Sequence, residues 1–388
     1  MYSWPLMENN ITKNDLNELI SFLQTEPKLT QSINVREFEK EWNEWLGTKY
    51  SVFVNSGASA NLATLSILKA IDPGGEIIVS PLGWVSDVAA VIQNGFKPIF
   101  VDIDPTTLSM NNDEIIKKIN LNTKAVLVTH VQGFNGITDK LVEYLKEKSI
   151  YLIEDVCESH GATHNGIKLG NFGIMSNFSF YYAHHMSTIE GGMISTNDES
   201  LYQLARMFRS HGMVRETEGE SIKEEYNRKY PDLNPDFIFA YPAYNIRSTE
   251  INAVLGRHQL KRLDSNNLKR KKNFEIFLDN LNINKFWTNF KLEGSCNYAF
   301  NLILNAPDIE FCKRIMKKLN ENGIEYRRGS AGGGNQMRQP YMKDYVKNED
   351  LKNYPNVEHI HFYGFYLGNY PDLSHEKVIE LCKLLNEV

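Results

Sequence analysis

The chain has 388 residues, 42% hydrophobic and 23% charged, with a formal net charge of −6. That length predicts two domains with ample core, and a negative balance without a long basic tract argues against a nucleic-acid partner. The densest basic run, Lys269-Arg270-Lys271-Lys272, reads as a solvated helix face. No apolar run approaches the ~18 residues that a membrane span needs. The opening Met1-Tyr2-Ser3-Trp4-Pro5 lacks the basic-then-apolar pattern of a secretory leader. Cys157, Cys296, Cys312 and Cys382 are too scattered for a metal site or a disulfide framework. We expect reduced thiols, a cytoplasmic location and no bound metal.

From residue 50, short β-branched runs alternate with amphipathic helical windows. Strands are predicted over 51–54, 76–79, 98–101, 125–129 and 151–153, with helices between them, as over 58–69 and 139–148. This alternation predicts an α/β fold with a mostly parallel sheet covered by helices. Ligands of such sheets sit beyond the carboxyl ends of the strands, where residues 55–59, 81–84 and 154–155 fall. Two long helical windows, 248–263 and 265–281, lead out of this unit. The remainder predicts a smaller α+β domain, with a strand near 298–304 and helices near 309–320 and 375–385. The expected division is a large domain, 1–264, with an N-terminal arm, and a small domain, 265–388. The stretch Gly329-Ser330-Ala331-Gly332-Gly333-Gly334-Asn335 is a flexible loop, either plain or facing substrate. It lacks the lysine and spacing of a P-loop.

Three segments carry chemistry. Asn55-Ser56-Gly57-Ala58-Ser59-Ala60-Asn61 follows a strand and opens a helix, so free N–H groups and the helix dipole suit an anion there. Gly57 allows close backbone approach, although plain strand-to-helix turns look similar. Tyr151-Leu152-Ile153-Glu154-Asp155 is a buried strand ending in two carboxylates. In the third segment, residues 179–192, Ser179 stands five residues before His184, and Glu190-Gly191-Gly192 begins six residues after it. No lysine occurs from Leu169 to Ile222.

The third segment resembles the lysine loop of the sugar aminotransferases that use pyridoxal 5′-phosphate (PLP), with His184 standing where the lysine is expected. The resemblance runs from Trp4-Pro5-Leu6 to the last helix. It implies the fold type I of PLP-dependent transferases: a large domain on a mostly parallel sheet of seven strands, plus a smaller C-terminal α+β domain. In that family the lysine holds PLP covalently. A histidine cannot, but it moves protons near neutral pH. The combination is similar to a small branch, the nucleotide-linked 4-keto-6-deoxysugar 3-dehydratases of lipopolysaccharide or capsular polysaccharide biosynthesis.

The branch implies non-covalent PLP or pyridoxamine 5′-phosphate, L-glutamate as amino donor, and a GDP-linked 4-keto-6-deoxy-mannose or 4-keto-6-deoxy-heptose as substrate. His184 would be the base and a 4-keto-3,6-dideoxysugar the product. By the same resemblance Gly57, Ala58 and Ser179 hold the cofactor phosphate, and Trp84 stacks on the pyridine ring. The loop from Pro81 to Trp84 is one residue shorter than the family pattern. Asp155 would keep the pyridine nitrogen protonated, and Glu158, where relatives often have glutamine, would be a further cofactor contact. Asn245 matches an asparagine that reaches the neighbouring subunit's phosphate, which implies a homodimer with shared sites. His211, Arg215 and Arg247 match positions near the sugar. His185 reads as a polar core group. Members of the branch that need an iron–sulfur cluster hold it with cysteines in the stretch corresponding to 213–241. None is present here, so no cluster and no reductase partner is expected. Two other readings remain: a sugar aminotransferase with an unusual base, and an inactive relative that only binds. The intact Gly57, Asp155 and Ser179 argue against the second.

Overall fold

The computed structural model describes residues 3–388. Met1 and Tyr2, the first two residues of the leader reading, lie outside the described residues. The large sheet has seven strands: β1 (Tyr50–Val54), β2 (Glu76–Val79), β3 (Lys97–Phe100), β4 (Thr123–Thr129), β5 (Tyr151–Asp155), β8 (Met175–Ser179) and β9 (Gly192–Thr196). A short hairpin, β6 (Thr163–His164) and β7 (Ile167–Lys168), stands apart from it. The spatial order is β1-β9-β8-β5-β4-β2-β3. Every neighbouring pair is parallel except the two made by β9, which is antiparallel to both β1 and β8.

This topology places the site. The carboxyl ends of β1, β2, β4, β5 and β8 open on one edge, so the chain emerging from each meets the others there. The helices α1 (Lys13–Leu23), α2 (Ile33–Leu46), α3 (Gly57–Ile71) and α4 (Val85–Gln93) precede or connect the first strands. A buried ion pair fixes α2 to the sheet: Arg209 donates to Glu39 at 2.6 Å, and the same carboxylate accepts the Phe53 N–H of β1 at 2.7 Å.

The helix Leu263–Asn280 leads to a three-stranded antiparallel sheet in the order β10 (Ala299–Ile303), β12 (Gly364–Gly368), β11 (Tyr326–Arg328). Helices Ile309–Glu321 and His375–Asn386 pack with it. Two features tie the halves together. One apolar cluster runs from Ile77, Val79 and Val131 through Phe134 to Phe274, Phe300 and Leu367. The N-terminal arm crosses to the small sheet, where the Trp4 indole donates to the Gly368 carbonyl at 2.9 Å and Glu325 N–H donates to the Trp4 carbonyl at 2.8 Å. Among the described residues no helix is long and apolar enough to cross a membrane.

Candidate active site

The turn from β1 into α3 is built as an anion cradle. Ser56 caps the helix by accepting the Ser59 N–H at 3.1 Å, and the Ala60 N–H reaches the Ser56 carbonyl at 3.0 Å. The N–H groups of Gly57 and Ala58 then face outward as the free donors of the first helical turn. Side-chain room is absent at Gly57: a Cβ there would lie 2.5 Å from Ser179 Cβ and 3.1 Å from Cys157 Sγ. Gly192 is equally constrained, because its Cβ would meet the Ser56 carbonyl oxygen at 2.3 Å. The first glycine lets β8 bring Ser179 against the turn, and the second lets β9 pass beneath it. Among the described residues Ser179 Oγ is met only by a long 3.5 Å contact from Tyr181 N–H, which leaves it available to an anion.

Asp155 ends β5 beside this cradle. Strand alternation sends the two carboxylates of the pair to opposite faces. Glu154 turns away and accepts N–H groups of Gly170, Phe172 and Gly173 at 2.7–2.8 Å, with the His130 ring at 3.2 Å. Burial would raise its pKa, but the His130 contact and these N–H donors prevail and hold it below the usual range. Glu154 is therefore a structural anchor. Asp155 faces the cradle, accepting from Asn61 Nδ2 and Cys157 N–H, each at 2.8 Å. Glu158 follows, taking the Gln132 N–H at 3.0 Å. Burial pushes Glu158 up to about 7; the Gln132 donor opposes this and the charge of Asp155 adds to it.

His184 lies in the turn after β8, half-buried, with its N–H on the Tyr181 carbonyl at 3.0 Å and Nδ1 unpartnered. Desolvation pulls the imidazole down to about 4; Asp155 pushes it up and the cation of Arg270 pushes it down. At neutral pH it is a free base. His160 and Tyr298 flank it at ring distances of 6.0 Å and 5.8 Å. His185 points into the core, where Nε2 meets Cys296 Sγ at 3.2 Å, as expected of a polar core group.

Trp84 is 64% exposed, so it is not a core residue but stands at the mouth of the site as the N-cap of α4. The loop that holds it is braced from the small domain: Gln336 donates its N–H to the Pro81 carbonyl at 2.8 Å and its amide to the Gly83 carbonyl at 3.1 Å. The glycine-rich loop before Gln336 thus closes on the Trp84 turn. Asn245 runs alongside the end of β1, where the Asn55 N–H meets the Ile246 carbonyl at 2.9 Å. Its side chain is exposed and takes the Arg247 guanidinium at 3.0 Å. His211 and Arg215 are also exposed, with Arg215 over the Phe237 ring. Among the described residues none of these four side chains hydrogen-bonds to Asp155, Glu158, Ser179 or His184.

Sequence reasoning missed Asp87, Gln132, His160 and Arg270. Asp87 carried a signal, since it is the lone acid in the otherwise apolar or small Val85-Ser86-Asp87-Val88-Ala89-Ala90-Val91-Ile92. Arg270 does not lie on the solvated face that the basic run predicts. It is 1% exposed, and its guanidinium donates to the carbonyls of Tyr298 and Asn369. A polar depression of about 620 Å³ lies elsewhere, between Asp104, Asn135, His164 and Lys291, and holds none of the site residues.

The donor set fits a cofactor that joins a phosphate to a protonatable ring: an N–H cradle, a free hydroxyl and a carboxylate on one rim. The sequence profile of the DegT/DnrJ/EryC1/StrS aminotransferase family matches residues 9–386. The chain is 30% identical to GDP-4-keto-6-deoxy-D-mannose 3-dehydratase of Yersinia pseudotuberculosis, over 100% of this chain and 99% of that one. A solved structure of the Escherichia coli GDP-4-keto-6-deoxy-D-mannose-3-dehydratase with bound hydrated PLP is 28% identical, with a TM-score of 0.88 over 99% of this chain and 100% of the other. A second structure of such an enzyme, with a trapped PLP-glutamate geminal diamine, gives a TM-score of 0.85 at 28% identity, over 99% and 100%. This chain belongs to the DegT/DnrJ/EryC1/StrS aminotransferase family, a pyridoxal-phosphate-dependent family of sugar-modifying enzymes with the aspartate aminotransferase fold.

Proposed function

We propose that the protein is a 3-dehydratase of a nucleotide-linked 4-keto-6-deoxysugar, GDP-4-keto-6-deoxy-mannose or a GDP-4-keto-6-deoxy-heptose. It would work with PLP and pyridoxamine phosphate held non-covalently, using L-glutamate as amino donor. One observation carries this reading: a neutral imidazole, His184, occupies the lysine position, and no lysine lies between Leu169 and Ile222.

When bound, the cofactor supplies an electron sink in its ring and an amine that engages the sugar's C4 ketone. The chain's own residues do the rest. Gly57 and Ala58 N–H groups and the Ser179 hydroxyl bind the phosphate. Trp84 covers one ring face, a contact worth ~0.5–1.5 kcal/mol beyond burial. Asp155 keeps the ring nitrogen protonated. Glu158, with its pKa near 7, gives or takes a proton at the rim. His184 takes the proton from the cofactor's C4′ carbon and delivers it to the departing C3 oxygen. Histidine cannot stand in for lysine as a covalent anchor, so the deoxygenated product leaves and ammonia is released. In balance, substrate and glutamate give the 4-keto-3,6-dideoxysugar, 2-oxoglutarate and ammonia. The same reading keeps the division 1–264 and 265–388, a homodimer with shared sites, and a cytoplasmic location without an iron–sulfur reductase.

The test is to incubate pure protein, PLP and glutamate with a panel of nucleotide-linked 4-keto-6-deoxysugars. Equal yields of ammonia, 2-oxoglutarate and a product lacking the C3 oxygen are expected. An amino sugar without ammonia would make the protein an aminotransferase instead.

A further inference from the structure

We propose that Asp87 is a positioning residue for Asp155: a carboxylic acid held in its neutral form behind the cofactor carboxylate, which fixes that carboxylate and leaves its charge for the ring nitrogen. The inference rests on the role given above to Asp155.

Four elements meet at Asp87. It lies in the first turn of α4, 1% exposed. Its Oδ1 accepts from Asn61 Nδ2 of α3 at 2.7 Å, and its Oδ2 accepts from Thr129 Oγ1, at the end of β4, at 2.7 Å. The same Asn61 Nδ2 reaches Asp155 Oδ2 at 2.8 Å. One amide therefore bridges two acids, and its carbonyl oxygen is left buried and without a partner. The same nitrogen also lies 3.2 Å from Ser86 Oγ. The two carboxyl groups therefore both lie within hydrogen-bond distance of one nitrogen.

Two carboxyls sharing a dry site do not both ionise; one keeps a proton. The titratable groups facing Asp87 are Asp155 and Glu158, Cys157 between them, and Tyr341 from the small domain. Among the described residues no Lys, Arg or His forms an ion pair with Asp87 or Asp155 that would offset a second negative charge. Burial first, and the charge of Asp155 next, push Asp87 well above the usual carboxylate range, against the Thr129 hydroxyl. Asp155 is the acid at the cradle, and it also receives the Cys157 N–H. The proton therefore belongs on Asp87, where it can be shared toward Asp155, and the charge belongs on Asp155.

Asparagine mimics a neutral acid, so Asp87→Asn separates this role from that of a second anion. In PLP titrations followed by absorbance, Asp87→Asn should bind within about threefold of wild type, as a tolerated substitution does. Asp87→Ala should bind roughly tenfold more weakly or worse, the scale of one hydrogen bond to a charged group. Its bound cofactor should also lose the protonated-ring absorption at lower pH than wild type. A thermal test needs no cofactor. A carboxyl with a raised folded-state pKa costs stability progressively as pH rises above its unfolded value of about 4. Asp87→Asn should therefore melt like wild type near pH 3 and increasingly above it toward pH 8. The inference is overturned if Asp87→Ala binds PLP as wild type does, if Asp87→Asn is as weak as Asp87→Ala, or if wild type outmelts Asp87→Asn at pH 8. Should Asp87→Ala not fold, the two Asp87→Asn measurements decide alone. Asp155→Asn, run alongside, should destroy the protonated-ring absorption. If it does not, the role of Asp155 fails, whereas a damaging Asp155→Asn with an equally damaging Asp87→Asn fails the inference alone.

Discussion

His184 is a neutral imidazole over the whole physiological range, because desolvation sets its pKa at about 4. A base that must be unprotonated loses activity only as pH falls toward that value, so kcat should show no limb near 6.5 from this residue. A limb near 7 belongs to Glu158. Glu158→Gln, which installs the residue often found in related aminotransferases, should remove that limb and leave the one near 4. Persistence of the limb near 7 in Glu158→Gln would assign it elsewhere. His184→Asn should cost about 10²–10⁴-fold in ammonia release, the usual share of general acid–base catalysis, and slow the glutamate half-reaction as well. His184→Lys should convert a removable cofactor into a covalently attached one, read by mass spectrometry after borohydride treatment, and lose dehydration. Wild-type dehydration in His184→Lys would move the base to another residue. The same histidines govern acid stability. His160, His184 and His185 all have pKa values lowered by burial, so the unfolded chain binds more protons than the folded one below 6.5. Stability should fall as pH drops from about 6.5 toward 4, and His160→Phe should blunt that fall in thermal melts across this range.

The strand-to-helix turn shows what an element contributes beyond its residues. Gly57 is the point where β8 and α3 touch, so Gly57→Ala must displace either Ser179 or the helix start. We expect PLP affinity to drop by roughly tenfold or more, since one hydrogen bond to a charged phosphate is worth about that much; an unchanged titration would show that the cradle is elsewhere. Legibility in the sequence follows the same physics. The strands predicted over 51–54, 76–79, 98–101, 125–129 and 151–153 match β1 to β5, because β-branched runs buried on both faces announce themselves. β8 and β9 went unread because they are buried yet polar. Their hydroxyls find partners inside the protein, as where Ser51 Oγ meets Ser195 Oγ at 2.7 Å and Thr196 Oγ1 donates to the Ile174 carbonyl at 2.7 Å, while Asn177 Oδ1 accepts from Thr64 of α3 at 2.8 Å and, among the described residues, its amide nitrogen has no partner. The site was legible where a motif spans one stretch, as from Ser179 to Gly192. It was not legible where it is assembled across elements: Asp87, Asn61 and Asp155 lie on α4, α3 and β5, and no local spacing links them.

At the scale of the molecule, the residues divide into those that meet within one chain and those that do not. Gly57, Asp155, Glu158, Ser179 and His184 share one edge of the sheet, while Asn245, His211, Arg215 and Arg247 present exposed or half-buried side chains along the strip after β9. Residues matched to substrate and phosphate contacts, yet exposed in the single chain, are accounted for if they serve a second copy. Apolar side chains also stand open on α1, where Leu16, Ile20 and Leu23 share a helical face at 40–52% exposure, and a closed two-fold assembly is the common way to cover such surface. Sedimentation at micromolar concentration should therefore give a dimer. The sharper test uses two inactive variants. If each site takes His184 from one chain and Asn245 from its partner, a mixed dimer of His184→Asn and Asn245→Ala has one doubly damaged site and one intact site. Random exchange makes half the dimers mixed, so mixing should restore about a quarter of wild-type activity per site. If both residues serve the same chain's site, every site in the mixture stays damaged. No recovery after verified subunit exchange would then remove the basis for shared active sites, whatever the sedimentation coefficient.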